Sequence, residues 1–293
     1  MTTLGLILLT GIPLGVTYAL VGYAFTVTYR SSGVFNFGIG QVTILGALIY
    51  ISIAGHLNLW IAMLLAALAN GAFGVAVYFG LLRLPERAGA GAISLIMITL
   101  GLGVVLQNLV PTLWGYYALQ APILLRGVTV TGSIHIEYQR LVLIVIAAVV
   151  LGAVYYFERS TMLGKALIAT GVDREAAVLS GVDDRVIQAI AWSISFAVTG
   201  LAGILFTPLT SASMNNAGVL AVNGFSAALI GGLGNSSGAV VGGLAMGIVA
   251  ALVGVLVSAQ YADAITFALV IGFILLRPAG LLGDVRLLLG PRA

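Results

Sequence analysis

No Asp, Glu, Lys, Arg or His lies in the interior of the long apolar runs that fill most of this sequence. Few folds accept such runs. About 20 apolar residues in a helix span the hydrocarbon core of a bilayer, whereas a soluble domain carries about a quarter of its residues charged. Here 7% of 293 residues are charged and 61% are hydrophobic. The chain reads as an all-α, polytopic membrane protein, the architecture in which helices satisfy their own backbone polar groups.

Apolar runs near 4–29, 34–55, 58–82, 91–111, 138–157, 188–208, 218–234, 238–258 and 262–276 predict about nine membrane segments, with eight to ten compatible. The first contains Pro13, a site for a kink or break. It has no basic stretch ahead of its apolar run, so it reads as a retained helix rather than a signal peptide. The seventh is short and glycine-rich, and fits a re-entrant or half helix as well as a full crossing. Basic residues set the orientation. With loop 158–187 in the cytoplasm, Arg30, Arg83, Arg87, Arg159, Lys165, Arg174, Arg185, Arg277, Arg286 and Arg292 fall inside, and only Arg126 and Arg140 outside. That predicts an external N-terminus and a cytoplasmic C-terminus. Residues 1–293 read as one transmembrane domain, with an external segment at 112–137 and a cytoplasmic loop at 158–187. In the external segment Val128, Val130, Ile134 and Ile136 alternate with polar residues around Gly132-Ser133, a hairpin pattern.

Several chemistries are excluded. There is no cysteine, and His56 and His135 stand apart, so neither a disulfide framework nor a metal site is expected. Proton-coupled carriers usually carry an ionisable group within the membrane; the spans offer none, which argues against proton coupling. No activated nucleophile or carboxylate pair marks a catalytic centre. The chain reads as a transport subunit, not an enzyme, with no catalytic residue and no nucleic-acid partner. The stretch "GGLGNSSG" at 231–238 lacks the lysine of a phosphate-binding loop. The four-residue spacing of Gly238 with Gly242, and of Gly243 with Gly247, predicts close helix packing instead.

Asn36 and Gln41 are amides among apolar neighbours, and an amide in hydrocarbon is costly unless it finds a partner. Read on one helix, residues five apart point about 140° from each other. One amide can then hold a neighbouring helix while the other faces a pathway, or both can bond neighbouring helices. The loop "STMLGKALIATGVDREAAVLSGVDDRVIQAIAW" predicts a short helix over 173–180. Thr170 and Asp173 fit a capping pair ahead of it, Gly181 fits its end, and Asp183 or Asp184 caps the next membrane helix.

"EAAVLSG", Glu175 to Gly181, resembles the E-A-A-x-x-x-G motif of permease subunits of ABC importers. Four stretches resemble one branch of these, the branched-chain amino-acid (LIV-type) permeases of the hydrophobic amino-acid uptake family. They are "NFGIGQVTILGA" (36–47), "ATGVDREAAVLSGVDDRVI" (169–187), "AALIGGLGNSSGAVVGGLAMG" (227–247) and "LLRPAGLLG" (275–283). The chain departs from that pattern where a family His-Gly-Glu is Ile39-Gly40-Gln41, and where a frequent lysine is Asn223.

The resemblance implies a permease of the bacterial-type inner membrane. Asp173, Arg174, Glu175, Ala176, Ala177, Leu179 and Gly181 would form the coupling helix that docks into an ATPase subunit. Asn36, Gln41 and Asn223 would be candidates for the translocation pathway. The implied partners are a second permease subunit, two cytoplasmic ATPase subunits and an external substrate-binding protein. ATP and magnesium would be bound by the ATPases, and this chain would hold no cofactor. The implied cargo is a branched-chain amino acid or a related small polar solute, such as urea, a short amide or an aromatic acid. The alternative from another class is a stand-alone secondary transporter or facilitator, which works without ATPases.

Overall fold

The structure is a computed structural model that describes residues 3–131, 134–258 and 261–283. Helix α1 (Thr3–Ser32) is followed by α2 (Ile39–Ala54) and α3 (Leu59–Val77). A π-turn at Tyr78–Leu82 carries α3 into α4 (Arg83–Arg87), and α5 spans Ala92–Trp114. Strands β1 (Val128–Thr131) and β2 (Ile134–Glu137) precede α6 (Tyr138–Ser160), α7 (Met162–Val172), α8 (Arg174–Leu179) and α9 (Asp184–Phe206). The chain continues through α10 (Met214–Gly231), α11 (Ser236–Leu256) and α12 (Ala262–Leu276). The two strands pair antiparallel with Val128 opposite Glu137 and Thr131 opposite Ile134. The Gly132-Ser133 turn expected between them lies outside the described residues, as do Arg286 and Arg292.

Six helical stretches are long and apolar enough to cross a membrane: Gly5–Ser32, Leu59–Arg87, Ala92–Trp114, Tyr138–Ser160, Asp184–Leu209 and Ser236–Leu256. The protein is thus a polytopic helical membrane protein. Two of the other expected spans are shorter helices, α2 with 16 residues and α12 with 15. The loss at α2 has a local cause. Gly33, at φ 67°, turns the chain out of α1, and residues 34–38 form a connection that the apolar pattern alone assigns to the next helix. The glycine-rich seventh segment starts early, at Met214, and is an 18-residue helix, α10.

Pro13 does not break α1, which is continuous from Thr3 to Ser32. Proline has no N–H to donate to the carbonyl four residues back. That carbonyl is Leu9 O, and Arg140 Nη1 donates to it at 3.2 Å.

α1 runs through the centre, with Leu20, Val21, Ala24, Phe25 and Val27 almost wholly buried. Missing β-carbons set how closely α11 approaches its neighbours. A β-carbon at Gly243 would strike Ala19 and one at Gly247 would strike Gly15, both on α1. One at Gly238 or Gly242 would strike the α10 backbone at Gly231 or Ala227. On the other side of the bundle Asn70 of α3 is fully buried. Its Nδ2 donates to Val42 O at 3.2 Å and to Phe196 O at 3.0 Å, joining α2, α3 and α9. Gly46 and Gly200 leave the room this amide occupies.

The bundle has two chemically different ends. One gathers the ion pair of Arg30 with Glu158, those of Arg174 with Glu86 and Asp184, and the bond from Asn235 Nδ2 to Leu282 O at 2.9 Å. The opposite end is held by Trp114 Nε1 donating to Ser52 Oγ at 2.7 Å, Tyr50 Oη to Pro122 O at 3.3 Å, and a bridge between Leu119 and Ala212. The β1–β2 hairpin belongs to this second end.

Candidate functional site

Segment 158–187 is more helical than its sequence pattern suggests. α7 was not anticipated. Thr161 caps it, its hydroxyl accepting from Gly164 N at 3.0 Å. A short connection at Asp173 leads into α8, whose cap is Asp173 alone, with Oδ1 accepting from Ala176 N at 3.0 Å. Thr170, expected to share that cap, is instead inside α7, and its hydroxyl donates to Leu167 O at 3.1 Å. The correction follows from α7 running on to Val172, which leaves no loop for Thr170 to cap. α8 closes as a Schellman turn: Gly181 N donates to Val178 O at 3.0 Å and Val182 N to Ala177 O at 3.1 Å. Gly181 sits at φ 91°, where a β-carbon is strained. Asp183 then caps α9 through Arg185 N at 3.0 Å.

Arg174 ties this small helix to two other elements. Its Nε and Nη2 grip the Asp184 carboxylate at 2.9 and 2.5 Å, and Nη2 also reaches Glu86 on α4. The hydrogen bonds to Asp184, and then to Glu86, raise the guanidinium pKa above its ordinary value, so Arg174 stays charged. α8 is therefore clamped to the ends of α3–α4 and α9, not carried on a free loop. Its outer surface presents Glu175, Ala176, Val178 and Leu179, with Leu179 88% exposed. Ala177 does not belong to that surface. It is 6% exposed and faces the chain's own interior, so its small size serves internal packing rather than a partner's cleft.

The pathway candidates separate. Asn36 and Gln41 do not share a helix, because α2 begins only at Ile39. Asn36 lies in the preceding connection, fully buried, with Oδ1 accepting from Gly38 N at 3.1 Å and Nδ2 without a partner among the described residues. Gln41, in the first turn of α2, donates through Nε2 to Gln107 Oε1 of α5 at 3.4 Å. Gln107 Nε2 in turn donates to Met214 O at the start of α10, also at 3.4 Å. Gln107 helps line a cavity of about 280 Å³ with Leu48, Asn108, Tyr116, Tyr117 and Asn215, at the hairpin end. Asn223 on α10 is buried, and neither atom of its amide has a partner among the described residues. Phe35 and Phe37, on either side of Asn36 in sequence, form an aromatic group with Phe225, with Phe35 and Phe225 edge to face at 5.4 Å.

Reading the sequence missed two features. Gln107 gives the same signal as Gln41, an amide inside an apolar run, and is legible on that ground. The second is a buried polar knot. Glu158 Oε1 accepts from Arg30 Nη2 at 2.7 Å, Tyr23 Oη at 2.8 Å and Ser236 Oγ at 3.1 Å. It joins α1, α6 and α11. Glu158 and Arg30 each stand at the end of an apolar run, which reads as interfacial until the fold brings the ends together.

The model of a protein family described as branched-chain amino acid transport system / permease component matches residues 7–274. The chain belongs to the branched-chain amino acid transport permeases. The permease is 32% identical to the high-affinity branched-chain amino acid transport system permease protein LivH of Escherichia coli K12, over 93% of each chain. It is 31% identical to BraD of Pseudomonas aeruginosa, a protein of the same description, over 94% of each. A probable branched-chain amino acid transport permease protein of Methanocaldococcus jannaschii is 23% identical, over 90% of this permease and 88% of that chain.

Proposed function

We propose that this permease is the membrane-spanning subunit of an ATP-driven ABC importer for branched-chain amino acids or a related small polar solute. It would work in the inner membrane beside a second permease subunit. Two ATPase subunits, which carry ATP and magnesium, bind the Arg174 end of the bundle, and an external binding protein delivers solute to the hairpin end. The reading places nine helices across the membrane, the shorter α2, α10 and α12 included, with the N-terminus external and the C-terminus cytoplasmic. The concentration of basic residues at one end supports that direction.

The observation that carries the proposal is the form of α8. A six-residue helix has little stability of its own. Here Asp173 caps one end, a Schellman turn closes the other, and Arg174 clamps it to α4 and α9, while Leu179 stays bare. A rigid exposed knob fixed to two membrane helices is suited to receive a push from a partner and pass it on. Nucleotide binding would move α8, and α9 with α3–α4 would follow, switching access between the two sides.

Reconstitution tests this. Proteoliposomes holding the permease, ATPases and binding protein should accumulate L-leucine only with ATP and magnesium. Equal uptake by the permease alone would establish a facilitator instead.

A further inference from the structure

We propose that the N-terminus of α2, together with the Asn36 amide, receives the carboxylate of the transported solute; the proposal rests on the importer reading above.

The donors are already in place. Asn36 is fully buried, and its Oδ1 is fixed by Gly38 N at 3.1 Å. That bond pins the amide to the start of α2, with Nδ2 beside it and unpartnered. α2 has 16 residues and no side-chain cap at Gly38. Asn36 takes two N–H groups at this helix start, Gly38 N on Oδ1 and Ile39 N on its carbonyl oxygen, and what α2 still presents is its positive end, which a helix that starts inside a membrane protein offers to anionic substrate groups. A carboxylate accepts from several donors and has none of its own. It therefore matches an N–H group of Asn36 beside a helix start.

The neighbouring acceptor fits the other half of a zwitterion. Gln41 Oε1, in the same first turn, is buried and without a partner among the described residues, while its Nε2 is committed to Gln107. An ammonium is donor-only and suits that oxygen. Phe35, Phe37 and Phe225 supply an apolar wall for a hydrocarbon side chain. α5 covers the site: a β-carbon on Gly103 would lie 3.3 Å from Gly38 Cα and 3.4 Å from Gln41 Oε1. Through Gln107, which lines the cavity at the hairpin end and bonds Gln41, the same helix links that cavity to the first turn of α2.

Asn36→Asp is the discriminating change. It keeps the size and the oxygen that accepts from Gly38 N, but replaces the free donor with negative charge. Two measurements are paired. One is ATP-driven uptake of L-leucine by the complete importer in proteoliposomes. The other is binding of L-leucine and of L-leucinamide, which lacks the carboxylate, to the wild-type permease in nanodiscs. Uptake of leucine by Asn36→Asp should fall about 100-fold in complexes that still assemble, because the solute carboxylate meets like charge where the wild type offers a donor. Wild-type permease should bind leucine at least about tenfold tighter than leucinamide on the same ground. Uptake by Asn36→Asp close to wild type, or equal binding of the two probes, overturns the proposal and leaves the importer reading standing. Wild-type liposomes that take up no leucine with ATP would remove that reading, and this inference with it. The wild-type comparison holds even if the variant fails to fold.

Discussion

Arg140 Nη1 donates to the carbonyl oxygen of Leu9, the acceptor that Pro13 leaves without an intrahelical donor. The pair explains how a proline is carried inside a 30-residue helix without interrupting it. Arg140→Met should cost about 1 kcal/mol, the usual net contribution of an intramolecular hydrogen bond. Pro13→Ala restores the missing N–H and should cut that cost. A double-mutant cycle on thermal unfolding in detergent reads the coupling; strict additivity would show that the two residues act independently.

Asn70 predicts a second stability effect. Its amide donates to carbonyls on α2 and α9, and Gly46 and Gly200 make room for it. Hydrogen bonds between membrane helices contribute roughly 1 kcal/mol each, so Asn70→Ala should destabilise by about 2 kcal/mol. Gly200→Ala should do as much by collision with the same amide. A melting temperature within a degree of wild type for both would show the junction to be passive.

Gly181 separates coupling from folding. Nothing lies near its missing β-carbon, so only its φ of 91° resists substitution. Gly181→Val should cost about 1–2 kcal/mol at the end of α8. Asn tolerates that region better and should cost less. Uptake per ATP hydrolysed should rank wild type above Gly181→Asn above Gly181→Val, with insertion unchanged. Equal ratios in all three would detach the turn from coupling.

Orientation is open to labelling, because the chain has no cysteine. Thr129 and Glu175 are both exposed, at opposite ends of the bundle. A membrane-impermeant maleimide on intact cells should label Thr129→Cys and spare Glu175→Cys until the membrane is opened. Labelling of both from outside would contradict an odd number of crossings between them.

The sequence was legible where one local rule decides. The apolar runs predict about nine membrane segments, and six of them are helices long and apolar enough to cross a membrane, because twenty residues without charge have few other homes. Asp173 and Gly181 announce the two ends of α8 through cap chemistry that needs no tertiary contact. Other features depend on long-range partners. Asn36 falls outside α2 because Gly33 turns the chain, and an apolar pattern carries no record of that turn. Ala177 faces inward because Arg174 orients α8, through Glu86, 88 residues away, and Asp184. α7 is a helix where only a loop was expected, since its apolar residues pack on α1 and α6, which periodicity within the loop does not reveal.

If partner ATPases act on this permease through α8, as proposed, Leu179 is the residue that reports it. A single cysteine at Leu179 is unique in the chain and stands on the exposed surface of the knob. Leu179→Cys should be carried in membranes that hold the assembled, transporting complex, and treated with a short thiol-directed photo-crosslinker. One main adduct is expected, at the combined mass of the permease and one ATPase subunit, with a yield that changes when ATP is bound. Active uptake with no ATPase adduct at that position would contradict it.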